Sequence, residues 1–118
     1  MASHNAVGLD GENLAAEWLK QNGYEIMHRN WRHSYYEIDI IAFKNKMLHF
    51  IEVKCRNASS FGYPEDSVTK KKFKYLQRAA DEFLFLNPGH KWIQYDILSI
   101  TLHSHNDPEY FLLEDVFL

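Results

Sequence analysis

Apolar and polar positions alternate along most of this chain with a period that changes from segment to segment. "SHNAVGLDGENLAAEWLKQNG" carries apolar residues at helical spacing, with Ser3 as a cap and Gly23 as a stop. Gly8 and Gly11 weaken its first turns. "YEIMHRNW", "YYEIDIIAF" and "MLHFIEVKC" then read as three strands, rich in β-branched and aromatic residues. "ASSFGYPEDS" is a loop, marked by Gly62 and Pro64. "VTKKKFKYLQRAADEFLFL" predicts a second, longer helix, which "NPG" at 87–89 stops. "WIQYDILSITL" is a strand, "HSHNDPE" a turn and "YFLLEDVFL" a last strand. The order is αβββαββ, which places the chain in the α/β class, as a mixed sheet with flanking helices.

The pattern breaks where charge enters the strands. Successive strand side chains alternate faces, so Glu37, Asp39 and Ile41 share one face, as do Phe50, Glu52 and Lys54. If Asn45-Lys46 forms a two-residue turn, Lys44 faces Met47. That register sets Asp39 across from Glu52, and Glu37 across from Lys54. Opposed Cβ atoms lie roughly 4.5–5.5 Å apart, so two carboxylates there repel unless a proton or cation intervenes. A divalent metal resolves the conflict, because hard cations take oxygen ligands. The alternative is a solvated face on which Glu37 and Lys54 pair and Asp39 meets water. Spacing alone leaves both open.

The helices carry two further misplaced charges. The inward stripe of the first is Gly8, Glu12, Ala15 and Leu19, so Glu12 either borders the acidic pocket or snorkels to solvent from the edge of the stripe. In the second helix Lys72 falls within Val68, Lys72, Leu76, Ala79 and Phe83, where its long stem favours snorkelling.

The chain has 118 residues, enough for one domain with a single core. No apolar run approaches the ~20 residues that span a bilayer. The opening "MASHNAVGLDGE" has neither a basic start nor an apolar segment, so no secretory signal is expected. One cysteine, Cys55, excludes an internal disulfide and suits a reducing compartment, so a cytoplasmic location is expected. A net charge of −3 argues against a surface that is basic throughout. A local basic face is still present in "TKKKFKYLQR", with Lys70, Lys71, Lys72, Lys74 and Arg78. Without other signals such a run reads as a solvated helix face.

An acid in one strand, Glu-x-Lys in the next and an acid on the preceding helix resemble the PD-(D/E)xK nuclease superfamily. More closely, the chain is similar to the YraN-like uncharacterised family, endonuclease-like proteins related to Holliday-junction resolvases. "GENLAAEWL", "GYEIMHRNWR", "EIDIIA", "FIEVKCR", "FGYPEDSV" and "YDILSI" carry the resemblance, from about residue 5 to about residue 100. Any one segment is unspecific, whereas all six in order are specific. The resemblance implies a restriction-endonuclease-like core, a mixed four-stranded sheet flanked by helices. It also implies that Asp39 and Glu52 bind Mg²⁺ or Mn²⁺, that Lys54 orients or activates water, and that Glu12 reaches the metal through water. Phosphodiester hydrolysis uses that inventory, since cations offset the charge growing on the phosphate oxygens. One position departs from the family: Tyr36 stands where glycine is usual, which predicts an altered loop geometry and substrate access.

The partner so implied is nucleic acid, DNA first, contacted by Lys70, Lys71, Lys72, Lys74 and Arg78 and by Arg29, Arg32 and Arg56. Junction resolvases cut two strands symmetrically, which leaves a homodimer open. Seven histidines raise the question of zinc. "HSHND" puts His103 and His105 on one strand face, but no second ligand pair, CxxC or HExxH accompanies them. Trp18, Phe73, Tyr75 and Phe83 sit at helical spacings and read as core, while Phe61 and Tyr63 are placed to touch a substrate. Two classes of function follow: a metal-dependent nuclease acting on branched DNA, or a catalytically silent nucleic-acid-binding or interaction module on the same fold.

Overall fold

The computed structural model describes residues 2–58 and 69–117, with the backbone alone for residues 2–10. Helix α1 spans Ala2–Gln21, so Ser3 lies inside it rather than before it. Gly23, at φ 88°, ends the helix in the left-handed conformation, and the Tyr24 N–H returns to the Leu19 carbonyl at 3.0 Å. Strands β1 (Glu25–His33), β2 (Tyr36–Lys44) and β3 (Met47–Asn57) follow, then helix α2 (Lys70–Leu86), β4 (Ile93–Leu102) and β5 (Glu109–Leu113). The order is αβββαββ, as the patterning predicts. The sheet has five strands rather than four, ordered β1-β2-β3-β4-β5. All pairs are antiparallel except β3 with β4, which α2 connects as a parallel crossover.

The β2–β3 turn has the expected register, with Lys44 facing Met47. Asn45 and Lys46 both adopt positive φ, 53° and 64°, the conformation of a type I′ turn that matches strand twist. That turn sets which side chains of β2 and β3 share a face.

The two sheet faces carry different cores. Ala15 and Leu19 of α1 pack on Ile40, Ala42, Ile51, Leu98 and Ile100. On the other face Leu76, Ala79, Ala80 and Phe83 of α2 pack on Ile38, Ile41, Leu48 and Phe50. Phe73 is buried against Ile97 beside them. The buried positions of α2 are therefore Phe73, Leu76, Ala79, Ala80 and Phe83, and Lys72 stands outside that stripe, exposed. The bulkier Phe73 sets the rotation of the helix and turns Lys72 outward. Val68 lies outside the described residues.

Gly11 is buried where α1 crosses β3, and a Cβ there would sit 2.8 Å from Cys55 Cβ. A residue that weakens the helix locally thus lets its axis approach the sheet. Gly11→Ala is expected to destabilise the fold by about 1–3 kcal/mol through overpacking. This should outweigh a helix-propensity gain of about 1 kcal/mol. Thermal melts beside Glu17→Ala, an exposed control on the same helix, check it.

Candidate acidic site

The β2–β3 ladder runs from the turn to Ile40↔Ile51 and stops there, one step before the two acids would face each other. Asp39 Oδ2 instead accepts the Val53 N–H at 2.9 Å, so its side chain supplies the acceptor that a paired strand would have offered. Alternation lapses at the same point, because Ile38 and Ile41 both pack under α2 while Ile40 packs under α1. On β1, Asn30 falls between the pairs Arg29↔Ile40 and Trp31↔Ile38 and takes φ 54°. The sheet is locally opened around Asp39.

Glu37, Asp39, Glu52 and Lys54 line one cavity of about 540 Å³ with Thr69, Lys71, Lys72, Tyr75 and Leu76. Thr69 caps α2, its hydroxyl accepting the Lys72 N–H at 3.2 Å, so the positive end of the helix faces this space. Burial, then the Glu52 carboxylate, raise the Asp39 pKa to about 7, with Glu37 and Glu12 adding to the rise and the Val53 N–H opposing it. Lys54 Nζ lies 3.4 Å from Glu52 Oε1, both half-buried. Glu37 is paired with Arg32 at 3.3 Å rather than with Lys54. The solvated-face alternative, in which Glu37 and Lys54 pair and Asp39 meets water, therefore does not hold.

Glu12 is near enough to act on Asp39 but does not line the cavity, and it accepts from Asn30 Nδ2 at 3.0 Å. Arg29 is tied to Asn13 Oδ1 at 2.7 Å, Arg56 is half-buried, and Lys70, Lys71, Lys72, Lys74 and Arg78 are exposed or nearly so. Among the described residues no three His, Cys, Asp or Glu side chains are grouped to hold a metal ion. Asp39 and Glu52 supply two oxygen donors of the hard kind that suits Mg²⁺ or Mn²⁺, leaving further positions to water.

Other placements differ from expectation. Tyr75 is not core; it lines the cavity and its hydroxyl donates to the Tyr35 carbonyl. Strand β4 ends at Leu102, so His103 and His105 lie beyond it, with His103 paired to Glu109. Tyr36 is an ordinary strand residue, and the positive φ of the β1–β2 turn falls on Ser34, at 56°, so no glycine is needed at 36. Phe61 and Tyr63 lie outside the described residues.

Sequence reasoning passed over a buried pair, His49 Nδ1 and Asp96 Oδ2, 2.7 Å apart. Asp96 Oδ1 also accepts from Gln94 Nε2 at 2.8 Å and the Asp115 N–H at 2.9 Å, which satisfies its charge. An aspartate amid the apolar run "YDILSI" was the available signal. His49 lines a small cavity with Tyr24, whose hydroxyl pKa burial and the charge of Asp96 raise to about 12.

This fold and site define a class: an α/β protein, consistent with a restriction-endonuclease-like fold, with a pair of acids and a lysine on adjacent central strands. The family described as "Uncharacterised protein family UPF0102" matches residues 11–100. The chain belongs to that family, which is nuclease-like in the PD-(D/E)xK sense. Its relatives include a UPF0102 protein of Bacteroides thetaiotaomicron, 41% identical over 106 residues, covering 90% of this chain and 88% of the relative. One from Flavobacterium psychrophilum is 40% identical over 100 residues, 85% and 84% of the two chains. One from Clostridium perfringens is 37% identical over 116 residues, 97% and 95%. Among the described residues no helix is long and apolar enough to cross a membrane.

The raised Asp39 pKa has a thermodynamic consequence. The folded protein keeps this proton up to about pH 7, whereas the unfolded chain releases it near the ordinary aspartate value of 3.8. Asp39 therefore stabilises the fold at low pH, and that contribution is lost as pH rises from about 4 to 7, on the order of 4 kcal/mol at most. Asp39→Asn removes the titration and leaves an amide oxygen for Val53. In chelator it should melt like the parent at pH 4 and above it at pH 8, as measured by pH-resolved thermal unfolding.

Proposed function

We propose that this protein is a metal-dependent nuclease that hydrolyses phosphodiester bonds, with branched DNA as its substrate class. The observation that carries the reading is the Asp39 carboxylate, held partly out of water beside Glu52 in a lysine-rimmed cavity, with its pKa raised to about 7. Repulsion within such a carboxylate pair is relieved by a bound cation as well as by a proton. Asp39 and Glu52 would hold Mg²⁺ or Mn²⁺, with Glu12 acting from its place beside Asn30. A bound divalent ion would supply charge neutralisation at the phosphate and a more acidic water.

The chain's own residues do the rest. The Val53 N–H fixes the Asp39 carboxylate, so the donor does not have to be ordered on binding. Lys54 contributes positive charge next to Glu52, where a phosphate would sit. Lys71 and Lys72, with the first turn of α2, favour an anion at the cavity wall. Lys70, Lys74 and Arg78 extend that basic face along the helix. Arg29 and Arg32, engaged with Asn13 and Glu37, are less available as phosphate contacts.

The second reading is a silent binding module on the same fold. It is favoured by Glu12 being committed to Asn30 outside the cavity.

Mn²⁺ titration calorimetry separates the two. The nuclease reading expects binding that releases a proton near pH 6–7, absent in Asp39→Asn. Lys54→Ala should keep metal affinity within a few-fold while losing most cleavage of a branched DNA substrate. Equal Mn²⁺ binding by Asp39→Asn and the parent would remove the basis for the nuclease. DNA affinity should fall with rising salt, and a Lys70/Lys71/Lys74 alanine triple variant should flatten that slope by roughly 0.7–0.9 for each phosphate no longer neutralised. Salt-independent binding contradicts the basic face.

A further inference from the structure

Three tyrosine rings lead out of the acidic cavity. Tyr75 lines it together with Asp39, Glu52 and Lys54. The Tyr75 ring lies 5.7 Å from that of Tyr36, which lies 4.5 Å from that of Tyr35. Hydrogen bonds fix the sequence of rings: the Tyr75 hydroxyl donates to the Tyr35 carbonyl, and the Tyr35 hydroxyl lies 3.4 Å from that of Tyr36. Tyr35 sits at the tip of the β1–β2 turn and is 71% exposed.

Neither hydrophobic packing nor local structure accounts for Tyr35. The turn is made by Ser34 at φ 56°, and a ring that exposed buries little apolar area. What the arrangement offers is a pre-ordered π surface beside a cavity suited to phosphate. The nearby charges fit an anionic strand. Lys71 and Lys72 share the cavity, and Arg78 lies within electrostatic reach of Tyr36. Of the acids on the same side, Glu37 pairs with Arg32, Glu82 with His33 and Glu52 with Lys54, while Asp39 accepts the Val53 N–H.

We propose that Tyr35, Tyr36 and Tyr75 form a stacking site for an unpaired nucleobase, with the neighbouring phosphate in the acidic cavity. In a duplex both faces of each base are already stacked, so the site selects strands with unpaired bases, such as single strands or the open positions of a branch. The phosphate half of this proposal rests on the nuclease reading, whereas base stacking does not require catalysis.

The test is fluorescence anisotropy in chelator at low salt, using a short single-stranded DNA oligonucleotide and an abasic strand of the same length and charge. The base-bearing strand should bind about tenfold more tightly, the range expected for stacking of one base. Tyr35→Ala should abolish that difference while melting like the parent, and Tyr35→Trp should retain it. Equal affinity for the two strands, or an unchanged preference in Tyr35→Ala, overturns the stacking site and leaves the Mn²⁺ result standing. No binding of either strand at low salt overturns the stacking site, and the nuclease reading is then decided separately by the Mn²⁺ titration.

Discussion

Everything at the candidate site depends on how the Asp39 carboxylate is accommodated. The hairpin register brings this acid toward Glu52, and the ladder ends one pair earlier, at Ile40↔Ile51. An ordinary sheet would continue its backbone pairing at that step. Here the Val53 N–H goes to a side-chain oxygen, and the strands separate enough to leave a cavity. The site is thus a place where a carboxylate takes the role of a main-chain acceptor, and the raised pKa of Asp39 records the electrostatic cost of putting it there.

That cost is sustained by surroundings that are otherwise regular. A type I′ turn at Asn45-Lys46 sets the register from one end. The parallel pairing of β3 with β4 runs from Leu48 to Asn57, so the strand bearing Glu52 and Lys54 is held along nearly its whole length on its other edge. Helix α1 approaches β3 closely at Gly11, and Asn30 ties Glu12 to β1. A flexible site could relieve the repulsion by moving its acids apart. One mounted on paired central strands cannot do so cheaply, which leaves protonation or a cation as the available relief.

The two faces of the sheet carry buried polar groups of different character. The His49–Asp96 pair is buried, and Asp96 is satisfied by several partners. The Asp39–Glu52 pair has fewer partners, the Val53 N–H for Asp39 and Lys54 for Glu52, and lies in a cavity also lined by Lys71, Lys72 and Tyr75. Internal compensation marks a group that serves the fold. An acid with few partners in a cavity, its pKa raised, is a candidate for chemistry.

Much of this was legible in the chain. Hydrophobic period, Gly23 and the "NPG" stop determined the element order, and the Asn45-Lys46 turn determined the register that brings Asp39 toward Glu52, because both are local properties of the backbone. The motif residues resembled a nuclease family for the same reason: their spacing is fixed within two adjacent strands. Other features were decided only in three dimensions. Phe73 displaced Lys72 from the helix stripe because burial depends on what the sheet offers opposite each position. Tyr75 became a cavity wall, and Glu37 chose Arg32 over Lys54, because side-chain partners come from different elements of the fold. The Asp39 hydrogen bond to Val53 is of the same kind: pleat and register bring the two strands together, but only the competition among burial, repulsion and an unpaired N–H decides where the ladder ends.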